Sequence, residues 1–401
     1  VAVGGAALQK QNFTTATNTY NTAVGRSAGK EVTTGTNNTL IGGLAGDAIT
    51  TGVSNNAVGY GALGATTTAN QNNAFGRNSL GANTTGADNT AFGQNTLGTN
   101  VLGSKSTAVG SDALSTQNYA TATDGYNTAV GYLAGSAVTT GIQNTLLGAN
   151  SGDALTDADY NVAIGKSALT TDTLGSQTTA IGFEALSTQN FTTAANSRNV
   201  AVGYQAGKAT TTGTDNTFIG HQAALANNTG YYNTAVGKAA LSANTSGINN
   251  TALGYLAGTA VTTGEQNTLI GALAGDALTD ADYNTAVGQD ALHTDTLGSR
   301  SVAIGRRSLY TQNFTTATDN YNVGVGFNAG YSVTTGVQNT FVGGLAGDGT
   351  DDGANNTAVG YAALNANCGD ANTAVGEQAL GRCTGSASTA VGKHAGEYNT
   401  S

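Results

Sequence analysis

A short apolar beat, usually Ala-Val, returns along the whole chain and is separated each time by a polar stretch of Gly, Asn and Thr. The unit reads Asn-Thr-Ala-Val-Gly-x-x-Ala-(Gly/Leu) and is often closed by Thr-Thr-Gly. Its fifth-position glycine serves as a ruler, falling at 4, 25, 42, 59 and so on to 392. Most steps are 17 residues; four are 21 (4 to 25, 110 to 131, 182 to 203 and 305 to 326), and the last two are 16. That makes 23 registered coils without a gap. A period of 17 is too short for helical-hairpin repeats, which need roughly 33 to 47 residues. Frequent Gly and Asn also disfavour helix. The pattern predicts one short strand per coil, with coils stacked by parallel pairing at about 4.8 Å. The expected fold is all-β, a parallel β-solenoid (β-roll) running as one continuous domain over 1–401.

Each column has its own chemistry. Position four is always large and apolar, as in Val24, Ile41, Phe75, Phe92 and Ile164, and is expected to form the core stack. Position one is Asn in 18 of the 22 coils after the first, with Ser106, Thr178, Ser301 and Ser388 as exceptions. Stacked Asn side chains can bond coil to coil as an amide ladder. Position fifteen is usually Gly, as in Gly35, Gly52, Gly141, Gly213 and Gly264, and is expected to supply a turn with positive φ. Position three is mostly Ala but becomes Leu40, Leu146, Phe218, Leu269 or Phe341. Neighbouring strand residues face opposite ways, so a buried position four sends position three outward, a second apolar stripe that a partner must cover.

Composition narrows the function classes. The chain has 59 Gly and no Pro, Met or Trp, and only 9% of its residues are charged. Disordered chains are usually rich in charge or Pro, whereas here 39% of residues are hydrophobic and strictly spaced. A net charge of −10 with scattered basic residues argues against nucleic acid and anionic membrane surfaces. No apolar run approaches the ~18 residues of a membrane span, so no membrane insertion is expected. Val1-Ala2-Val3-Gly4 and Asn399-Thr400-Ser401 both sit mid-repeat, which suggests a piece or a processed product.

Ser301-Val302-Ala303-Ile304-Gly305 resembles the head repeats of trimeric autotransporter adhesins, although those use a coil shorter than 17. Asn233-Thr234-Ala235-Val236-Gly237 through Ala240-Leu241, followed by Asn244-Thr245-Ser246-Gly247, is similar to phage and bacterial tail-fibre-like proteins that end in an endosialidase-type chaperone. No such chaperone segment is visible in the sequence. The resemblance covers essentially the whole chain and implies a left-handed roll, a parallel homotrimer, possibly joined end to end, and an extracellular place on a cell surface or virion.

Four long coils insert a near-identical string: Gln11-Asn12-Phe13, Gln117-Asn118-Tyr119, Gln189-Asn190-Phe191 and Gln312-Asn313-Phe314. One reading is aromatic-tipped loops that contact a receptor or glycan. The other is a bulge whose aromatic packs between protomers. Aspartates cluster at Asp153, Asp157 and Asp159, at Asp276, Asp280 and Asp282, and at Asp348, Asp351 and Asp352, without EF-hand or nonapeptide spacing. They read as solvated acidic turns. His221, His293 and His394 lie on distant coils, so no metal cluster or triad assembles from them. No cofactor is expected. Cys368 and Cys383 sit on adjacent short coils, eight and seven residues after Gly360 and Gly376. Stacking would bring them near the ~5.5 Å Cα separation of a disulfide.

Three function classes are weighed. A structural or adhesive fibre segment without catalysis fits best. An ice-binding solenoid would show Thr-x-Thr on every coil, but Thr33, Thr50, Thr84, Thr139 and Thr211 have Gly or Ala two positions on. A polysaccharide-active β-helix would need paired acids on neighbouring coils, and only the turn aspartates come near that.

Overall fold

A computed structural model describes residues 1–398 and is all-β, as the period predicts. Each coil carries a strand of three residues (two at Ala2–Val3) at positions two to four of the ruler, and within each unit successive strands of this kind pair in parallel. Three further two-residue pairs, Gly103–Ser104 with Thr123–Asp124, Gly175–Ser176 with Ala195–Asn196 and Gly298–Ser299 with Thr318–Asp319, accompany the inserts. Two compact units divide the chain: Val1–Asn199 with eleven such strands and Val200–Ser401 with twelve. Register is uniform: Thr22, Ala23 and Val24 face Thr39, Leu40 and Ile41. Backbone bonds to the adjacent coil continue outside the strand, for example Gly46 N–H to Ala62 O at 2.8 Å and Thr50 N–H to Thr67 O at 2.8 Å.

The inside and outside of the strand are the reverse of the expectation. Position three is buried and position four faces out: Ala23 and Leu40 are fully buried, whereas Ile41 is 38% and Phe92 51% exposed. Asn at position one is buried too, so positions one and three share the inner face, as a period of two requires. The physical reason is volume. The interior of a 17-residue coil is narrow, and it is filled by alternating size rather than by a uniform stack of large residues.

That size code links positions three and nine. Leu40 fills the space over Gly29 and Gly46, where an added Cβ would come within 2.6 and 2.7 Å of its methyls. Leu146 serves Gly135 and Gly152, and Leu269 serves Gly258 and Gly275, in the same way. Where position three is Ala, position nine commonly carries the bulk, as in Leu63, Leu80, Leu169 and Leu241, all fully buried. Position twelve follows suit. It is commonly apolar after Gly (Val32, Ile49, Val138, Leu155), with Thr210 and Thr350 as exceptions, and commonly polar after Leu (Asn83, Asn100, Asp172, Asp295).

The Asn ladder is present. Asn38 N–H and Asn55 N–H donate to Oδ1 of Asn21 and Asn38, both at 2.9 Å. The Asn38 side-chain amide donates to Gly52 O at 2.9 Å. A ladder residue such as Asn38 therefore satisfies one backbone donor and one backbone acceptor that would otherwise be buried unpaired. Position-fifteen glycines do not supply a positive φ. They are required by close approach, since a Cβ on Gly264 would stand 2.5 Å from Ala281 O. Positive φ belongs instead to positions five, seven, nine and seventeen, as at Gly25, Ser27, Gly29 and Asn37.

Candidate functional site

The four inserted strings turn out to be splices in the ladder. In each, the Gln side-chain oxygen accepts from the next ladder Asn: Gln11 from Asn21 at 3.1 Å, and Gln117, Gln189 and Gln312 from Asn127, Asn199 and Asn322 at 2.9 Å. The Gln amide then donates to the hydroxyl at position one of its own coil: Ser106 at 3.2 Å, Thr178 at 3.0 Å and Ser301 at 2.8 Å. These are three of the four exceptions to Asn at that position. The shorter side chain leaves room for Gln, which carries the ladder across a coil four residues longer than the rest.

The aromatic tips turn inward. Tyr119, Phe191 and Phe314 are 5%, 7% and 6% exposed, and Phe13 is half-buried. Tyr119 donates from its hydroxyl to Gly141 O at 3.0 Å, and burial pushes its pKa above the usual phenol value. Both earlier readings, receptor contact and packing between protomers, put these rings outside the coil, whereas they pack within it. Asn12, Asn118 and Asn190 remain exposed and Asn313 is half-buried, and the exposed parts of these loops include the threonines that follow the rings, as at Thr14, Thr192 and Thr315.

Two buried carboxylates went unnoticed in the sequence. Asp172 accepts from Gln189 Nε2 at 2.6 Å, Phe191 N–H at 3.0 Å and Gly175 N–H at 3.1 Å. Asp295 accepts from Gln312 Nε2 at 2.6 Å, Phe314 N–H at 3.0 Å and Gly298 N–H at 3.0 Å. Burial pushes the Asp295 carboxyl up, against hydrogen bonds from Gln312, Phe314 and Gly298 that pull it down. The signal was available: Thr-Asp-Thr-Leu-Gly-Ser recurs at 171–176 and 294–299, one coil before a Gln-Asn-Phe insert each time. These carboxylates anchor the inserted loops.

The acidic turns bond from coil to coil and do not converge on a point. Thr140 and Thr263 hydroxyls donate to Asp157 and Asp280 at 2.6 and 2.5 Å, and backbone N–H groups of Ile142 and Glu265 donate to Asp159 and Asp282 at 2.8 and 2.7 Å. Among the described residues no group of three or more His, Cys, Asp or Glu side chains could hold a metal ion. Position ten of the second unit carries a side-chain column. Asp276 meets His293 Nδ1 at 2.6 Å, and His293, Tyr310 and Tyr331 stack with ring centroids 5.0 Å apart. In the first unit Gly81 and Gly98 at that position, with Gly61 at position seven, leave an open groove of about 480 Å³, walled by Asn78, Asn95 and Asp112. Its wall is already bonded to itself, Asn95 Nδ2 donating to Asp112 Oδ1 at 3.1 Å.

Asp348, one coil beyond Tyr331, has a buried Oδ1 without a hydrogen-bond partner, and burial raises its pKa to about 6. The folded state then binds more protons than the unfolded chain between about pH 4 and 6. Stability contributed by this group is full below that window and is lost as pH rises through it. Asp348→Asn is expected to raise the urea midpoint at pH 7, by about 1 kcal/mol once solvent screening at a half-exposed site is allowed for. The gain should vanish at pH 4. An equal gain at both pH values would reject the assignment.

No protein-family model and no curated protein matches the chain. Its reading therefore rests on its own geometry. No helix among the described residues is long and apolar enough to cross a membrane.

Cys368 and Cys383 are both buried and stand as free thiols, with Cys368 Sγ 3.2 Å from Thr350 Oγ1. Burial raises the Cys368 pKa, which makes that thiol sluggish in exchange at neutral pH. The bridge expected on exposure to an oxidising compartment is checked by titrating unreduced, denatured protein. No reactive thiol is the expected result, and two would count against the bridge.

Proposed function

We propose that the chain is a non-catalytic structural or adhesive segment, shaft or head, of an extracellular fibre carried on a cell surface or virion, and that it works as a parallel homotrimer. The observation that carries this reading is the continuity of coil stacking within each unit: even the longer coils hand the Asn ladder on through Gln117, Gln189 and Gln312. Such a stack gives stiffness along its axis from nearest-neighbour contacts, which is what a shaft needs. The resemblance of Ser301-Val302-Ala303-Ile304-Gly305 to trimeric adhesin heads, and of the Asn233–Gly247 string to tail-fibre-like proteins, supports the same class and the choice of three copies. An adhesive head would take a surface receptor or glycan as its partner.

Native mass measurement at micromolar concentration is expected to give three chains. A stable monomer would overturn the trimer. Incubation with a panel of polysaccharides is expected to leave their chain lengths unchanged, and depolymerisation would move the protein to the β-helix enzymes.

A further inference from the structure

The strand has an outer face that no element of its own unit covers. Position two is Thr, Val or Asn, and position four is Val, Ile, Leu or Phe, in every coil after the first. Neither column contains one charged residue from Thr22 to Val391. Outward positions of a parallel sheet in water normally carry charge, and a bare sheet face of this length would promote association. Ile219, Leu253 and Ile304 are 39%, 46% and 39% exposed.

The columns on either side differ in kind. Position six carries Tyr60, Tyr132, Tyr204 and Tyr255, all 45 to 57% exposed. Position seventeen carries Tyr283, Arg300 and Tyr321, with the Arg300 guanidinium 4.7 and 5.8 Å from the two rings. An apolar centre without charge and a border rich in Tyr and Arg is the make-up of a protein interface. Eleven coils at ~4.8 Å and four residues at ~3.3 Å give a face of roughly 50 by 13 Å, about 650 Å² per unit. That approaches the ~800 Å² per partner of a standard interface.

We infer that this outer strand face, positions two and four bordered by six and seventeen, is the surface on which a second copy of this chain lies. The inference rests on the self-assembling fibre reading above and replaces position three as the contact stripe. Only a partner with the same rise per coil stays in step with the columns over eleven coils, and another copy of the chain has that rise by construction. Ice fits the face less well, because the Tyr and Arg borders stand beside the Thr and Val rows that a flat crystal plane would have to meet.

The test is the mass of the Ile219→Asp/Leu253→Asp double variant of the full chain beside Thr245→Asp/Thr262→Asp, which changes the exposed side away from the strand. Wild type and the threonine variant are expected to keep the oligomer mass. The strand variant is expected to give monomers with the circular dichroism of wild type. An oligomeric wild type whose strand variant keeps its full mass would overturn the assigned face and leave the fibre reading standing. A monomeric wild type would overturn both, and a monomer that shapes growing ice crystals would give the face to ice.

Discussion

Ala163→Asp should collapse stacking in the first unit, whereas Ile164→Asp, one residue further, should leave it folded. Ala163 is fully buried in a strand paired on both sides, with Leu146 and Ala180 as its register partners. A carboxylate there has no donor in reach and must be buried unpaired or expelled together with the strand. The cost is several kcal/mol, about 4 or more. Because each coil leans only on its neighbours, two interfaces are lost at once. Ile164 sits on the outer face and is only partly covered within its own unit. Its replacement gives up about 1 kcal/mol of partial apolar cover. Circular dichroism and the thermal midpoint decide between them, since mass would also report assembly. Equal tolerance at the two positions would refute the inward placement of position three.

The same pair of residues shows what was legible and what was not. Period, parallel register and the Asn ladder could be read from column identity alone, because a stack repeats each interaction at a fixed offset. The direction of the strand face could not be read from hydrophobicity, since both columns are apolar. It could have been read from size. Leu40 occurs between Gly29 and Gly46, and Leu63, Leu80 and Leu97 occur where position three is Ala. Complementary volumes mark a shared interior.

The inserts teach a similar lesson about polar residues. Ser106, Thr178 and Ser301 looked like sporadic substitutions in the Asn column, yet each opens a long coil in which Gln takes over the ladder. Reading the exception together with Gln117, Gln189 and Gln312 would have turned the Gln-Asn-aromatic strings from candidate contact loops into structural splices. The buried tips Tyr119, Phe191 and Phe314 are the price of closing a longer circuit around the same core. What stays outside the reach of sequence is the orientation of those rings, which depends on the space beneath Gly103, Gly175 and Gly298. A Cβ on Gly103 would meet the Tyr119 ring at 2.7 Å, and one on Gly298 the Phe314 ring at 2.7 Å.

The position-five glycines should be the least replaceable residues of the chain. Gly288 has φ +136°, a region closed to residues with a side chain, and an added Cβ would stand 2.6 Å from both the carbonyl carbon and oxygen of Gly305. Strain at such a φ costs of order 1–3 kcal/mol. The clash adds to it, because the obstructing atoms are backbone of the next coil and cannot rotate away. Gly288→Ala is therefore expected to cost about 3 kcal/mol or more and to open the junction between the coils of Gly288 and Gly305. Gly264→Ala has ordinary φ but the same kind of obstruction, 2.5 Å from Ala281 O, and should cost less. Gly43→Ala is the control: its Cβ would rest at 3.5 Å on the Tyr60 ring, with no positive φ to oppose it. That change should be neutral, or stabilise by about 0.4–1 kcal/mol through the unfolded chain. Urea midpoints of the three variants test the order. If Gly288→Ala were as stable as Gly43→Ala, the coil would not depend on the backbone approach that sets its 17-residue turn.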